Sequence, residues 1–163
     1  MKIYHGSTVV VQTPEIRKSE VFLDFGNGFY TTTSYGQAKR WARIKARRKN
    51  LNEGFVTVYE FDEEQAFSLL RINRFETADE RWLTFVVNNR KGIPSDEIKD
   101  MTIGPVADDN VYQSIRLFET GAYDMEYTVK RLKTELLQDQ WVFHTNEAAA
   151  FLRFAASERI IRE

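Results

Sequence analysis

At 163 residues the chain is long enough for one substantial core and too short for two ordinary ones, so a single domain over residues 1–163 is expected. Apolar residues at 42% and aromatics at 13% exclude a disordered chain, and a net charge of −1 gives no global attraction to nucleic acid or an anionic membrane. The absence of cysteine excludes disulfides and thiolate metal sites, and no apolar run reaches the 18 or so residues that span a bilayer. With no signal-peptide core at the N-terminus, a soluble cytoplasmic protein without membrane contact is expected.

In chain order, Lys2 to His5 reads as a strand ended by Gly6. Thr8 to Val11 is a β-branched run whose strand, if any, stops at Pro14, and Val21 to Phe25 is an apolar run broken by Gly26-Asn27-Gly28. Ser34 to Lys49 predicts a helix capped by Ser34. Gly54 to Phe61 alternates as a strand, and Ala66 to Ile72 is expected to pair with it across the acidic turn 62–64. Thr77 to Arg90 predicts a helix with Thr77 and Glu80 as its capping box. A strand follows over Met101 to Ala107, interrupted at Gly104-Pro105, then helices over Asp108 to Thr120 and Met125 to Leu137. Trp141 to His144 reads as a short strand, Asn146 as the cap of a helix to about Ala156, and Arg159 to Ile161 as a last strand. Strands and helices alternate without a βαβ rhythm, which predicts an α+β fold.

Four features carry chemistry. Tyr4-His5-Gly6-Ser7 ends a strand in an imidazole, a backbone that a ligand can approach and a hydroxyl, although a purely structural histidine fits the same pattern. Gly28, Phe29, Tyr30 and Thr31 follow a glycine-rich turn that delivers a ring face and hydroxyls, where a plain β-turn between strands is the alternative. Lys39, Arg40, Arg43, Lys45, Arg47, Arg48 and Lys49 put seven cations into residues 39–49, with no acid between Asp24 and Glu53. That run suits a pyrophosphate or nucleic-acid phosphates, or simply a solvated helix face. Gln140 opens the strand 140–144, in which Trp141 and Phe143 alternate toward the core. Two histidines and no cysteine give no expected metal site.

Tyr4-His5-Gly6-Ser7, then Phe25-Gly26-Asn27-Gly28-Phe29-Tyr30, then Gln37-Ala38 with Trp41, resemble the His-Gly-Ser/Thr and Gly-x-Gly-x-Tyr motifs of ADP-ribosyltransferases of the diphtheria-toxin and poly(ADP-ribose)-polymerase branch. Over its whole length the chain is similar to an uncharacterised bacterial family of that superfamily, through residues 23–33, 37–42, 82–90, 104–109 and the pattern Gln140-x-x-Phe143-His144-Thr145. The resemblance implies a split antiparallel sheet with surrounding helices and NAD, as co-substrate, in the cleft between the halves. It implies that His5 bonds the adenosine ribose, that the Gly6 backbone meets the nicotinamide carboxamide and that Tyr30 stacks on nicotinamide. Ser7, Gly28, Phe29, Thr31, Gln37, Trp41 and Arg43 complete the expected nucleotide site. His5, Tyr30 and Gln140 form a His-Tyr-Gln triad, with Gln140 where the branch carries a glutamate, and Gln37 and Trp41 also depart from its serine and second tyrosine. An NAD-dependent ADP-ribosyltransferase acting on a protein or nucleic-acid acceptor is thus expected, a toxin or effector with a neutralising partner protein being the setting known for such bacterial enzymes. A catalytically silent NAD or ADP-ribose binder, or a nucleic-acid module working through residues 39–49, are the alternatives.

Overall fold

The computed structural model describes residues 1–18, 22–93, 95–96 and 98–163, with Asn110 described by its backbone alone. Val21, at the start of the expected apolar run 21–25, lies outside the described residues. Strand β1 (Lys2–Ser7) pairs antiparallel with β3 (Glu53–Phe61), which pairs antiparallel with β7 (Leu152–Ile161). The second sheet has the order β2 (Phe29–Thr31), β6 (Asp139–Phe143), β5 (Met101–Pro105), β4 (Ile72–Arg74). Its β2–β6 and β5–β6 pairs are antiparallel, but β4 runs parallel to β5, a departure from the wholly antiparallel split sheet expected. A bridge between Tyr4 and Thr32, with both backbone bonds made at 2.9 and 3.0 Å, ties the edge of one sheet to the edge of the other. The architecture is α+β, and none of the described helices is long and apolar enough to cross a membrane.

Helix α1 (Tyr35–Arg48) covers the three-stranded sheet, and the Ser34 hydroxyl accepts from the Gln37 amide as its cap. Ala38, Ala42 and Ala46, spaced four residues apart, are fully buried against that sheet. A Cβ on Gly6 would lie 2.0 Å from the Ala38 carbonyl oxygen, and one on Gly54 would lie 2.7 Å from that of Ala42. Gly6 is therefore required by helix–sheet contact, whatever else its backbone does.

The four-stranded sheet is covered on both faces. Trp141 and Phe143 of β6 enter one cluster with Ile3, Tyr59, Phe61 and Met101, as their alternation predicts. Val142 enters a second cluster with Phe25, Trp82, Phe85 and Ile115, contributed largely by α3 (Glu80–Arg90) and α4 (Asp109–Glu119). Helix α5 (Met125–Leu132) adds Leu132 and stops five residues before the predicted Leu137.

Three expectations are corrected. Residues 66–71 do not form a strand, and Ile72 opens β4, which pairs with β5 and not β3: Asp62 caps helix α2 (Glu63–Leu69), accepting from the Gln65 amide at 3.1 Å, so the acidic residues 62–64 are a cap and first turn rather than a hairpin. Helix α3 is capped by Asp79, not by a Thr77–Glu80 box. The last helix, α6 (Asn146–Ala149), is capped by Thr145 and ends early, because 152–161 forms the ladder along β3 that an open sheet edge offers and that local helix propensity cannot supply. The β-branched run 8–11 forms no strand, and side chains of β3 bond it instead, Thr57 accepting from the Val11 amide and Tyr59 donating to the Val11 carbonyl.

Gly6→Ala is expected to lower stability by ~3 kcal/mol, since the new methyl meets backbone that cannot rotate away. Gly36→Ala, where the nearest atom is 3.9 Å away on an exposed turn of α1, should raise stability by ~0.5–1 kcal/mol. Urea unfolding measures both, and an unchanged midpoint in Gly6→Ala would show that α1 can lift off the sheet.

Candidate functional site

A cavity of about 460 Å³ opens between the two sheets. Its walls are His5 of β1, the segment 23–30, one stripe of α1, residues 106–109 after β5, and Gln140 of β6. The volume suits a small organic ligand.

His5 is buried, and its Nδ1 lies 2.7 Å from the Tyr30 carbonyl oxygen. A carbonyl only accepts, so Nδ1 carries the proton and Nε2 keeps its lone pair. The ring stacks on Phe29 at 4.1 Å between centroids. Burial pulls the imidazole down to about 3, with Lys45 acting in the same direction and the Tyr30 carbonyl against it. His5 is thus a neutral acceptor throughout the physiological range.

Tyr30 is fixed at both ends. Its backbone pairs with Val142, while its hydroxyl accepts from the Phe25 amide at 3.0 Å and donates to the Gly26 carbonyl at 2.7 Å. Burial holds that hydroxyl well above the ordinary tyrosine range, so it does not ionise. The ring itself is left as a cavity wall. Three further side chains hold the turn that carries it. His144 meets the Asn27 carbonyl through Nδ1 at 2.6 Å and the Thr102 hydroxyl through Nε2 at 2.7 Å. Asn89 donates to the Asp24 carbonyl, and Arg90 pairs with the Asp24 carboxylate at 3.2 Å. Gly28 is packed so closely that a Cβ would lie 2.5 Å from Val142.

Residues 139 and 140 point to opposite faces of β6. Asp139 is consumed by structure: it accepts from the Thr32 hydroxyl, the Thr33 amide and hydroxyl, and the Trp141 indole. Gln140 is 3% exposed, lines the cavity, and its Nε2 has no hydrogen-bond partner among the described residues. An unmet buried donor costs ~1–3 kcal/mol, a penalty that a ligand oxygen would remove.

The cavity therefore gathers His5, Gly28, Phe29, Tyr30, Gln37, Trp41 and Gln140 from the residues that the sequence nominated. Gly6, Ser7, Thr31 and Arg43 lie outside its lining. The Gly6 carbonyl accepts from Lys45 Nζ at 2.8 Å, and the Thr31 hydroxyl donates to the Trp141 carbonyl. Ser7 ends β1 opposite Phe55. Arg43 turns to the C-terminus, bonding the Ile161 carbonyl and Glu163. Among the described residues no three His, Asp or Glu side chains converge as a metal site.

A family model described as a protein of unknown function (DUF3990) matches residues 1–154. The chain belongs to the DUF3990 family. No curated protein and no solved structure matches it. Every residue of the cavity falls within the span that defines its DUF3990 membership.

The remaining lining residues either belong to the basic run 39–49, read from sequence as a phosphate-binding stretch or a solvated helix face, or carried no assignment. Arg40, Ile44, Lys45 and Arg48 follow from the helical period, because they share a stripe of α1 with Gln37 and Trp41. Asp24, Asp108 and Asp109 had no local signal; strand order alone brings 106–109 beside β6. Burial raises the Asp24 carboxyl, while Arg90 opposes that shift.

Because unfolded histidine takes a proton near pH 6.5 and folded His5 does not until about 3, stability should be full above pH 6.5 and fall as pH drops toward 3. The contribution is ~1.4 kcal/mol per pH unit within that window. His144, lowered by burial, acts in the same direction. Chemical denaturation between pH 6 and 4.5 should show a shallower decline for His5→Gln than for the wild type; identical slopes would place a charged His5 in the folded state.

Proposed function

We propose that this protein is an NAD-dependent ADP-ribosyltransferase, with NAD in the cavity as co-substrate and a macromolecule as acceptor. The observation that carries the reading is the buried, unpartnered Gln140 Nε2, facing a space that also holds the lone pair of a neutral histidine and a fixed tyrosine ring. Such a set suits a ribose beside a flat heterocycle. His5 Nε2 accepts from a ribose hydroxyl, Tyr30 offers its face, and the Gln140 amide bonds ribose oxygens.

In the reaction the bond between nicotinamide nitrogen and ribose C1″ breaks, and its electron pair leaves with nicotinamide. An acceptor nucleophile forms the new bond to C1″ and gives up its proton to solvent. The protein's part is to orient the ribose and exclude water while positive charge develops on it. Gln140 brings no negative charge to that state, which costs ~3–4 kcal/mol, or 10²–10³ in rate, relative to an aimed ionic partner. The same amide, beside an Asp139 already occupied by structural bonds, favours a second reading: a binder of NAD or ADP-ribose that does no chemistry.

Calorimetry with NAD and an assay of nicotinamide release separate the two. Binding with release is expected, with His5→Ala weakening binding about tenfold and Gln140→Ala lowering release about 10²-fold. Gln140→Glu should hold or raise turnover. Binding without release selects the silent binder, and no binding removes both readings. With labelled NAD and cell lysate, separate protease and nuclease digestion assigns the acceptor to protein or nucleic acid.

A further inference from the structure

Buried charges in folded proteins are paired, because an ion removed from water needs a compensating partner. Lys45 is half-buried and lacks such a partner among the described residues. It lies on the cavity wall, and among the described residues its Nζ meets only the Gly6 carbonyl, with no carboxylate within ion-pair distance. Its nearest charged neighbours are cations, Arg48 and Lys49. Arg48, three residues on and also in the lining, makes no ion pair or hydrogen bond among the described residues. By contrast, the other cations of the stripe are satisfied: Arg40 holds Asp109 at 2.7 Å, and Arg43, outside the cavity, holds Glu163 at 3.1 Å. Lys45, half-buried, and Arg48, exposed, thus lie one helical turn apart on one wall with no carboxylate partner among the described residues.

We infer that Lys45 and Arg48 form an anion subsite on the α1 wall of the cavity, with the spacing and charge to take a diphosphate. Residues three apart on a helix stand ~5–6 Å from each other at Cβ, so a long amine and a longer guanidinium can each meet one phosphoryl group. The diphosphate neutralises what the protein leaves unpaired. Arg48 supplies the planar fork suited to phosphate oxygens, and Lys45 a point charge at depth. The inference deepens the dinucleotide reading and rests on it only for the identity of the molecule that carries the diphosphate.

The subsite has a pH dependence. Burial lowers the Lys45 amine to about 8, and Arg48 and Lys49 push it the same way. The other titratable or charged groups facing the cavity are His5 of β1, Arg40 with Asp109, and Asp24 and Asp108 on the opposite wall. An anion favours the charged amine, so binding is tight below pH 8 and weakens as pH rises through it, by about tenfold between pH 7 and 9.

Calorimetry with inorganic pyrophosphate, ADP, adenosine and NAD on the full chain tests the assignment. Expected are pyrophosphate binding, ADP bound at least tenfold tighter than adenosine, and loss of that advantage in Lys45→Gln. Arg48→Gln, at an exposed position on which folding does not depend, should lose a comparable part and keeps the test valid if Lys45→Gln misfolds. Equal ADP and adenosine affinities in the wild type, an unchanged ADP advantage in Arg48→Gln, or ADP affinity flat from pH 7 to 9 would each overturn it. If NAD binds equally well to wild type and both variants, the subsite falls and the dinucleotide reading stands. If pyrophosphate binds through Lys45 and Arg48 while NAD does not bind, the subsite stands and the dinucleotide reading falls.

Discussion

Helix α1 rests on β1 and β3 at a distance that only glycine beneath and alanine above allow, and the site follows from that contact. Gly6 and Gly54 lie under the carbonyls of Ala38 and Ala42, so neither strand position has room for a Cβ. Ala38, Ala42 and Ala46 spend one face of the helix on this approach and contribute no chemistry. Every longer side chain is thereby sent to the remaining faces. One stripe, through Gln37, Trp41, Lys45 and Arg48, becomes a cavity wall at the period of 3.6 residues per turn, while Arg43 is carried to the C-terminus.

The opposite wall is held by hydrogen bonds as well as by the close packing of Gly28 on β6. The turn before β2 has few backbone partners of its own, and three side chains from two other parts of the chain supply them: His144 after β6, and Asn89 and Arg90 from α3. Tyr30 closes the turn on itself through its hydroxyl. The bonds to Phe25 and Asp24 are part-buried, where such bonds gain strength, while the one to Asn27 is exposed. The ring of Tyr30 is presented to the cavity by bonds that all lie at its far end.

Asp139 and Gln140 show how pleating divides labour between neighbours. The carboxylate turns to Thr32, Thr33 and the Trp141 indole and joins β6 to the segment after β2. The amide turns the other way, into the cavity, and is left incomplete. With neutral His5 beside it and half-buried Lys45 on the facing helix, the cavity lining combines an acceptor, a donor and a cation.

Local pattern was enough for the elements whose stabilisation is local. Ser34 announces α1, and alternation announces β3 and the inward face of Trp141 and Phe143, whereas β1 does not stop at Gly6 but runs through it to Ser7, paired along β3. The α+β class was also legible, because no βαβ rhythm is present. Strand choice at 66–72 and helix choice to Ala156 failed for one reason: both segments have composition that fits either state, and the decision lay with a cap in the first case and with the free edge of β3 in the second. The site divides in the same way. His5, Tyr30, Gln37, Trp41 and Gln140 could be nominated from sequence because each sits in a short motif or pattern. That Asp24, residues 106–109 and the cations at 45 and 48 share their cavity, and that Arg43 does not, was decided by tertiary structure alone. Strand order and helix rotation set which distant groups meet, and both depend on packing energies summed over the whole core rather than on any window of the chain.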